Sequence, residues 1–283
     1  MLPEQVYFQG LEETVARALA EDIGPGDVTA DLIDPEVRLH ARVLLKEPAV
    51  ICGRPWFNET FYQLDETIDI DWHCAEGSRQ PAGTVLCTLT GNARHLLSGE
   101  RTALNFLQLL SGTATTTRRY ADALAGTATQ VLDTRKTVPG LRLAQKYAVA
   151  CGGGHNHRLG LYDRVLIKEN HILAAGSIRQ AVDAARRRHP DVLIEVETEN
   201  LDEFAEALET SVDVIMLDEF TPEEMRHAVA MNGGRKKLEI SGGVTLDNIR
   251  ALAETGVDYI SVGALTKHVR AIDLSMRFTW QGG

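Results

Sequence analysis

The chain has 283 residues, a hydrophobic fraction of 44% and a formal net charge of −11 at pH 7. This length fits one α/β barrel with a small second domain, and the acidic balance argues against nucleic acid as a partner. No apolar run is long enough to predict a membrane span, and no secretory signal is visible. The four cysteines lack Cys-x-x-Cys spacing, so we expect free thiols and a cytoplasmic protein.

The chain up to about Gly112 has a mixed pattern. Leu11–Glu21 has the apolar periodicity of a helix. Short alternating runs joined by Gly and Pro follow it: Leu39–Leu45, Ile68–His73 and Val85–Leu89. Such runs predict a small antiparallel sheet with one buried face.

Ser98–Leu110 is the clearest predicted helix of this first part. Ser98 is expected to cap its start, and Ser111-Gly112 is expected to end it. The helix carries a polar stripe of Arg101, Asn105 and Gln108. The pattern alone is equally typical of a solvated face.

From Thr127 onward the pattern alternates between strand and helix. The predicted strands are short and apolar on both faces: Gln130–Asp133, Arg164–Ile167, Leu193–Glu197, Val214–Leu217, Leu238–Ile240 and Tyr259–Val262. The predicted helices between them are Ser177–Arg188, Leu201–Glu209, Pro222–Met231 and Thr245–Thr255. Doubly buried strands with helical crossovers predict a parallel sheet, and their spacing favours a closed or nearly closed barrel.

The carboxyl ends of the predicted strands carry charged, polar or glycine residues, and active sites of parallel barrels lie at these ends. In order they are Asp133-Thr-Arg135-Lys136, Lys168-Glu-Asn-His171, Glu195 or Glu197, Asp218-Glu219, Ser241-Gly242-Gly243 and Gly263-Ala264. Cations are on the early ends and carboxylates on the middle ones. We therefore predict a site for a small, multiply charged anion.

Individual strand ends predict different parts of that site. The two glycine turns, with a helix expected from Thr245, are typical of a phosphate site. Glu197 and Asp218 are suited to a metal shared with phosphates, or to sugar hydroxyls. Glu195 has the same strand parity as Glu197, so the pattern does not choose between them.

The early cations suit a carboxylate-rich substrate. They are Arg135, His157, Arg158 and Lys168. Arg142 and Lys146, on the predicted helix Leu141–Ala150, are expected to be surface cations. A zinc site at His155 and His157 is a weaker alternative, because it lacks further ligands at standard spacing.

Several long motifs resemble the quinolinate phosphoribosyltransferase family, and together they cover nearly the whole chain. The longest are Leu132-Asp-Thr-Arg-Lys-Thr-Val-Pro-Gly-Leu-Arg142, Lys146-Tyr-Ala-Val149, Gly152-Gly-Gly-His-Asn-His-Arg-Leu-Gly-Leu161 and Leu166-Ile-Lys-Glu-Asn-His171. The match continues in Ser98-Gly-Glu-Arg-Thr-Ala-Leu-Asn105, Glu195-Val-Glu197, Ile215-Met-Leu-Asp218 and Val262-Gly-Ala-Leu-Thr266.

The resemblance implies an α/β protein with two domains. An N-terminal α/β open sandwich (residues 1–112, joined by a C-terminal tail of about 270–283) accompanies an irregular parallel α/β barrel (residues 113–269). It also implies a homodimer in which the partner's first domain completes each site. The implied reaction converts quinolinate and phosphoribosyl pyrophosphate, with Mg²⁺, to nicotinate mononucleotide, pyrophosphate and CO₂ in de novo NAD biosynthesis.

The resemblance also implies roles for the residues at matching positions. Arg135, His157, Arg158 and Lys168 resemble the binders of the quinolinate carboxylates, with His171 near the substrate and Arg101 reaching in from the other subunit. The catalytic set is Lys136, Lys168, Glu197 and Asp218, in which Glu197 and Asp218 grip the ribose and its metal. The 5′-phosphate cradle is Ser241, Gly242, Gly243, Gly263 and Ala264. Because no family role matches His155, none is assigned to it.

Three rival functions remain open at this level. One is a barrel aldolase or isomerase with Lys168 as a Schiff-base lysine. Another is a non-catalytic relative of the kind associated with molybdenum transport, against which the intact set of charged residues argues. The third is a nicotinate-specific phosphoribosyltransferase, which would need fewer cations for carboxylates.

Overall fold

The computed structural model describes residues 3–280. These residues form two compact units. The first consists of the described parts of Met1–Arg118, Thr137–Gly153 and Thr266–Gly283, and the second consists of Arg119–Lys136 and Gly154–Leu265. The domain boundaries at residues 112 and 269 stay a prediction. The two units are groups of densely packed residues, and such a grouping does not define where a domain begins or ends.

The strands in the described range are β1 (Arg38–Leu45), β2 (Ala49–Val50), β3 (Asp69–Trp72), β4 (Arg79–Gln80), β5 (Val85–Asn92), β6 (Gln130–Leu132), β7 (Val165–Ile167), β8 (Ile194–Thr198), β9 (Val214–Asp218), β10 (Lys237–Ser241), β11 (Tyr259–Ser261) and β12 (Leu274–Trp280). The helices are α1 (Glu4–Tyr7), α2 (Leu11–Ile23), α3 (Arg54–Leu64), α4 (Ala93–Ala123), α5 (Arg142–Cys151), α6 (Glu169–Ala175), α7 (Ile178–Arg188), α8 (Leu201–Leu208), α9 (Pro222–Asn232), α10 (Ile249–Ala253) and α11 (Ala264–Lys267), with a 3₁₀ turn at Ala30–Leu32. Within residues 3–280, no helix has the length and apolar character needed to cross a membrane.

An antiparallel sheet forms the centre of the first unit, as the alternating runs predicted. Its strand order is β12-β1-β5-β3. Alternate residues of β1 are buried, from Leu39 to Leu45, and they pack with the rings of Phe57 and Phe61 on α3. The strand β12 pairs with β1 along its length, so residues 274–280 belong to this sheet.

The long helix α4 corrects the prediction of a helix limited to Ser98–Leu110. Ser98 is no cap: its hydroxyl donates to Asp27 Oδ2 at 2.7 Å from within the helix. Ser111 and Gly112 do not end the helix either. The Ser111 hydroxyl accepts from the Cys52 N–H at 3.0 Å, and Gly112 packs so closely on the Arg270 carbonyl that a Cβ would collide with it.

The second unit is built on a six-stranded parallel sheet, and this confirms the α/β class. The strand order is β6-β11-β10-β9-β8-β7. Of these six strands, the first in sequence (β6) therefore pairs with the last (β11), as in a sheet that rolls into a barrel. On its other side, β6 makes a parallel bridge from Leu132 to His155, which brings the residues that follow His155 beside the strand ends.

The helix predicted at Thr245–Thr255 is shorter than expected. It begins at Ile249, because side-chain hydrogen bonds hold the preceding turn. The Thr245 N–H donates to Asn248 Oδ1 at 2.8 Å, and Asn248 Nδ2 donates to the Gly243 carbonyl at 2.9 Å. A glycine turn, rather than a helix N-terminus, therefore follows β10.

Candidate active site

A cavity of ≈ 350 Å³ opens at the carboxyl ends of the parallel strands, where the sequence predicts the site. Its lining combines cations, carboxylates and hydroxyls: Thr134, Arg135, Lys136, His157, Arg158, Leu166, Lys168, Glu197, Met216, Glu239, Ser241 and Ser261. Seven of these twelve side chains belong to the predicted site. The cations of the cavity can therefore bind an anionic molecule next to carboxylates. The carboxylates can stabilise positive charge that develops on that molecule during a reaction.

Lys168 and Glu197 form an ion pair at the wall of the cavity. Lys168 follows β7 and Glu197 lies near the end of β8, and their Nζ and Oε2 atoms are 2.5 Å apart. The neighbouring strand β9 ends in half-buried Asp218. Burial, followed by the charge of Glu197, raises the pKa of Asp218. The two carboxylates thus concentrate negative charge that a cation would relieve.

Glycine turns line the next two strand ends. Gly242 and Gly243 have φ values of 90° and 59°, which favour glycine, and a Cβ on Gly242 would lie 3.5 Å from Asp218 Oδ1. Gly263 packs on the Lys136 side chain, because a Cβ there would lie 3.0 Å from Lys136 Cδ. These turns therefore place backbone groups beside the carboxylates and Lys136.

Glu219 is the one non-glycine residue with positive φ among residues 3–280, at 55°. It directly follows Asp218. Strained backbone at such a position is typical of functional sites.

Both ring nitrogens of His157 are engaged within the second unit. Nδ1 accepts the Arg158 N–H at 2.8 Å, and Nε2 lies 2.9 Å from Glu195 Oε2. This pattern assigns the ring proton to Nε2. The His157 N–H donates to buried Asp133 at 2.9 Å, which fixes the backbone of this segment. His157 therefore orients Arg158 as well as lining the cavity.

Two buried carboxyl groups, Glu195 and Glu239, lie beneath His157. The sequence pattern left Glu195 open as an alternative to Glu197, and it did not select Glu239. Glu195 and Glu239 have no exposed surface, and both approach His157 Nε2, at 2.9 and 3.5 Å. Arg164 Nη1 lies 3.3 Å from Glu195 Oε2. Strand parity was the available signal for Glu239, since it lies two residues before Ser241 and faces the same cavity.

The remaining predicted residues have other surroundings. His171 is exposed, and its Nδ1 accepts the Lys168 N–H at 3.0 Å, so it caps α6. Ala264 begins α11 directly after Gly263. Arg101 is exposed on α4 in the first unit. Lys146 contradicts its predicted surface position, because it is fully buried on α5.

Clusters of potential metal ligands do not match the weaker alternative of a zinc site at His155 and His157. In the described part of the chain they are Cys52 with Glu76 and Cys151, and His157 with Glu195 and Glu239. His155 belongs to neither. The four cysteines are free thiols, as predicted.

Comparisons with known proteins point to one family. The family model described as "Quinolinate phosphoribosyl transferase, C-terminal domain" matches residues 113–277, and the corresponding N-terminal domain model matches residues 27–111. A probable nicotinate-nucleotide pyrophosphorylase (carboxylating) of Synechocystis sp. is 46% identical over 263 residues, covering 92% of this chain and 89% of that protein. A Bacillus subtilis protein of the same description is 42% identical over 270 residues, covering 95% and 93%.

The fold has a similar counterpart among solved structures. The nicotinate-nucleotide pyrophosphorylase from Francisella tularensis superposes with a TM-score of 0.94 at 45% identity, covering 99% of this chain and 98% of that one. The chain therefore belongs to the quinolinate phosphoribosyltransferase family of pentosyltransferases, as its motifs predicted.

Proposed function

We propose that this chain transfers a phosphoribosyl group from phosphoribosyl pyrophosphate to quinolinate and decarboxylates the product to nicotinate mononucleotide, releasing pyrophosphate and CO₂. This is a step of de novo NAD biosynthesis. The observation that supports it best is the cavity in which Arg135, Arg158 and Lys168 face Glu197. The cations suit the two carboxylates of quinolinate, and the carboxylate suits a ribose carbon that becomes positive.

Binding of quinolinate is assigned to the cations of the early strand ends. Arg158 has a fixed backbone through His157, and Arg135 lies beside it on the cavity wall. A guanidinium binds a carboxylate with two parallel hydrogen bonds, whereas Lys168 supplies a point charge. His157 and His171 stay predicted as further contacts, and their observed bonds also support a role in orienting Arg158 and Lys168.

Binding of phosphoribosyl pyrophosphate is assigned to the later strand ends. Ser241, Gly242 and Gly243 would hold the 5′-phosphate with Gly263 and Ala264, because a glycine turn exposes backbone N–H groups to phosphate oxygens. Lys136, which packs on Gly263, would meet the pyrophosphate. The two polyanionic substrates repel each other, so holding them together is itself a large part of catalysis.

Mg²⁺ fits the donors at Glu197 and Asp218. Both are hard oxygen ligands at the ends of neighbouring strands, and burial together with the charge of Glu197 raises the pKa of Asp218. The ion would neutralise charge on the pyrophosphate group. For their part, Glu197 and Asp218 would stabilise the positive ribose carbon, while Lys136 and Lys168 would stabilise the departing negative charge.

The ring nitrogen of quinolinate needs no general base, because its lone pair is already free. Once the nitrogen is ribosylated, the positive ring withdraws electrons from the bond to the 2-carboxylate, and CO₂ can leave. The Schiff-base alternative for Lys168 is poorly supported, because its Nζ is held in an ion pair with Glu197 and lies among the other cations of the cavity.

The product of purified protein incubated with quinolinate, phosphoribosyl pyrophosphate and Mg²⁺ tests the proposal. We expect nicotinate mononucleotide by mass spectrometry, and none when the metal is chelated. Nucleotide that retains both carboxylates as the final product would contradict the decarboxylating reaction. An inactive protein that binds quinolinate would point to a relative with changed chemistry.

We also propose a cytoplasmic homodimer in which Arg101 of one subunit enters the partner's site. The support is the exposed guanidinium of Arg101 on a helix whose sequence matches the family motif. Mixing Arg101→Ala with Glu197→Gln tests it, since a hybrid dimer contains one intact site. Each variant alone should be inactive, and an equal mixture should recover about a quarter of the wild-type rate. No recovery in a verified hybrid would contradict the shared site.

A further inference from the structure

A group of potential metal ligands lies within the first unit, and the function proposed above does not use it. Cys52 follows β2, Glu76 lies in the loop between β3 and β4, and Cys151 ends α5. The two sulfur atoms and a carboxylate oxygen of Glu76 all lie within 4.8 Å of one another. Because the three residues are far apart in the sequence, the fold of this unit, and no local motif, brings them together.

Close packing holds the loop of Glu76 between the segments of the two cysteines. A Cβ on Gly77 would lie 3.5 Å from the Cys151 carbonyl oxygen and 3.9 Å from the Cys151 Cα. The Gly77 N–H donates to the Ile51 carbonyl at 2.8 Å. The residue after Glu76 therefore contacts both the end of α5 and the residue before Cys52.

Hydrogen bonds to the backbone orient two of the three donors. The Cys52 N–H donates to the Ser111 hydroxyl at 3.0 Å, and that hydroxyl donates back to the Cys52 carbonyl at 3.1 Å. The Glu76 carboxylate accepts the N–H groups of Gly53 at 2.7 Å and Arg54 at 3.3 Å. Outer contacts of this kind fix the direction of metal ligands in proteins.

The charges around the group favour a cation. Cys52 is fully buried, and its thiol interacts with both Cys151 and Glu76. The neighbouring guanidinium of Arg54 is turned to the Cys74 carbonyl, to which its Nη1 donates at 3.1 Å. A metal ion between the two sulfurs and the carboxylate would therefore stabilise negative charge in a poorly hydrated place.

The chemistry of the donors selects the metal. Sulfur and carboxylate ligands together suit Zn²⁺, whereas Mg²⁺ prefers oxygen alone. Zn–S bonds of about 2.3 Å and Zn–O bonds of about 2.0–2.2 Å place tetrahedral ligand atoms roughly 3.5–3.8 Å apart. Small side-chain rotations would close the observed group to this geometry. Glu76 and Cys151 are partly exposed, which gives the ion a route from solvent.

We propose that Cys52, Glu76 and Cys151 form a zinc site, with water as the fourth ligand. Binding forms two Zn–S bonds and one Zn–O bond, and the two thiols release their protons to solvent. The ion would join the turn before α3, the loop before β4 and the end of α5. It would therefore stabilise the folded first unit by mass action. This site is independent of the proposed reaction.

Co²⁺ is a spectroscopic probe for the site, because thiolate ligands give it a charge-transfer band in the near ultraviolet. The full chain is reduced, treated with a chelator and supplied with excess Mg²⁺, which occupies the oxygen ligands assigned to Glu197 and Asp218. We expect one Co²⁺ per chain with the sulfur band, and displacement of the Co²⁺ by Zn²⁺. Added Zn²⁺ should also raise the Tm of the reduced protein.

Variants of the ligands locate the bound ion. Cys52→Ala and Cys151→Ser should each weaken or remove the sulfur band and lower Zn²⁺ affinity at least about 10²-fold, more than is usual for an outer contact. Glu76→Gln should lower the affinity and keep the band. The matched control is Cys87→Ala, which changes another fully buried cysteine of the first unit and should bind Zn²⁺ as wild type does. If Cys52→Ala does not fold, the partly exposed Cys151 still provides the test.

A reduced wild type without the sulfur band would overturn the inference. So would a Cys151→Ser protein with unchanged band and affinity, or a Cys52–Cys151 disulfide that forms under the reducing conditions in place of metal binding. None of these measurements uses the reaction. An enzyme that fails to turn over its two substrates would therefore contradict the proposed function alone.

Discussion

Lys168 Nζ lies 2.5 Å from Glu197 Oε2, at the ends of two neighbouring parallel strands. In the proposed reaction, the quinolinate carboxylate attracts the lysine while the ribose carbon attracts the glutamate. When both substrates bind, the contact between Lys168 and Glu197 would therefore be replaced by two contacts. Lys168 would pair with the quinolinate carboxylate, and Glu197 would pair with the positive ribose carbon. The contact couples the two halves of the site.

A double-mutant cycle measures that coupling. We expect Glu197→Gln to lower kcat about 10²–10³-fold, because it removes a charge aimed at the transition state. Lys168→Met should lower kcat and also weaken quinolinate binding. The double variant should be less impaired than the sum of the two, with a coupling of about 0.5–3 kcal/mol. Lys237→Met, in a surface ion pair with Asp258, is the control, and additive effects at Lys168 and Glu197 would contradict the coupling.

Arg158→Ala tests the binding of the quinolinate carboxylates. A charge-assisted hydrogen bond contributes about 1.5–3 kcal/mol, so we expect the quinolinate KM to rise roughly 10–100-fold. The KM of phosphoribosyl pyrophosphate should change little. Arg226→Ala, an exposed arginine paired with Glu223, serves as the control in steady-state assays. Unchanged kinetics in Arg158→Ala would remove this residue from the site.

Gly242 and Gly234 form a matched pair of glycines with φ of 90° and 79°. Alanine at either position should cost about 1–2 kcal/mol of unfolding free energy, because both backbones are left-handed. A Cβ on Gly242 would also reach Asp218 and Glu219, whereas a Cβ on Gly234 has nothing within 4 Å. Only Gly242→Ala should therefore raise the KM of phosphoribosyl pyrophosphate. Equal KM values would contradict the assigned phosphate cradle.

Asp65 links stability of the first unit to acid pH. Hydrogen bonds from Thr67 and His95 lower the pKa of Asp65 to about 2. Its contribution to stability is present above the ordinary pKa of 3.8 and is lost as pH falls through about 2. Asp65→Asn should therefore flatten the decline of Tm between these values, with Asp71→Asn as the control. A decline as steep as that of wild type would exclude this link.

The parallel strands were predictable because each combines an apolar run with a polar end. All six appear within a few residues of the predicted limits, and their ends meet at the cavity. Local capping signals were less informative. Ser98 and Ser111 both have the chemistry of helix boundaries, but their hydroxyls form tertiary hydrogen bonds inside α4.

The buried part of the site was the least accessible to sequence reasoning. Glu239 lies two residues before Ser241, but its contact with His157 is shared with Glu195, 44 positions earlier, which reaches the same histidine nitrogen. Lys146 reads as a surface cation, yet the fold buries it completely. Contacts between such distant residues depend on which strands become neighbours in the sheet. Local sequence patterns do not specify that order.

CO₂ release from purified protein supplied with phosphoribosyl pyrophosphate and Mg²⁺, with quinolinate or nicotinate as acceptor, tests the central claim most directly. We predict one CO₂ and one pyrophosphate for each quinolinate consumed, and no pyrophosphate with nicotinate. Pyrophosphate release with nicotinate and none with quinolinate would contradict the account, because the cations of the cavity would then have no second carboxylate to bind.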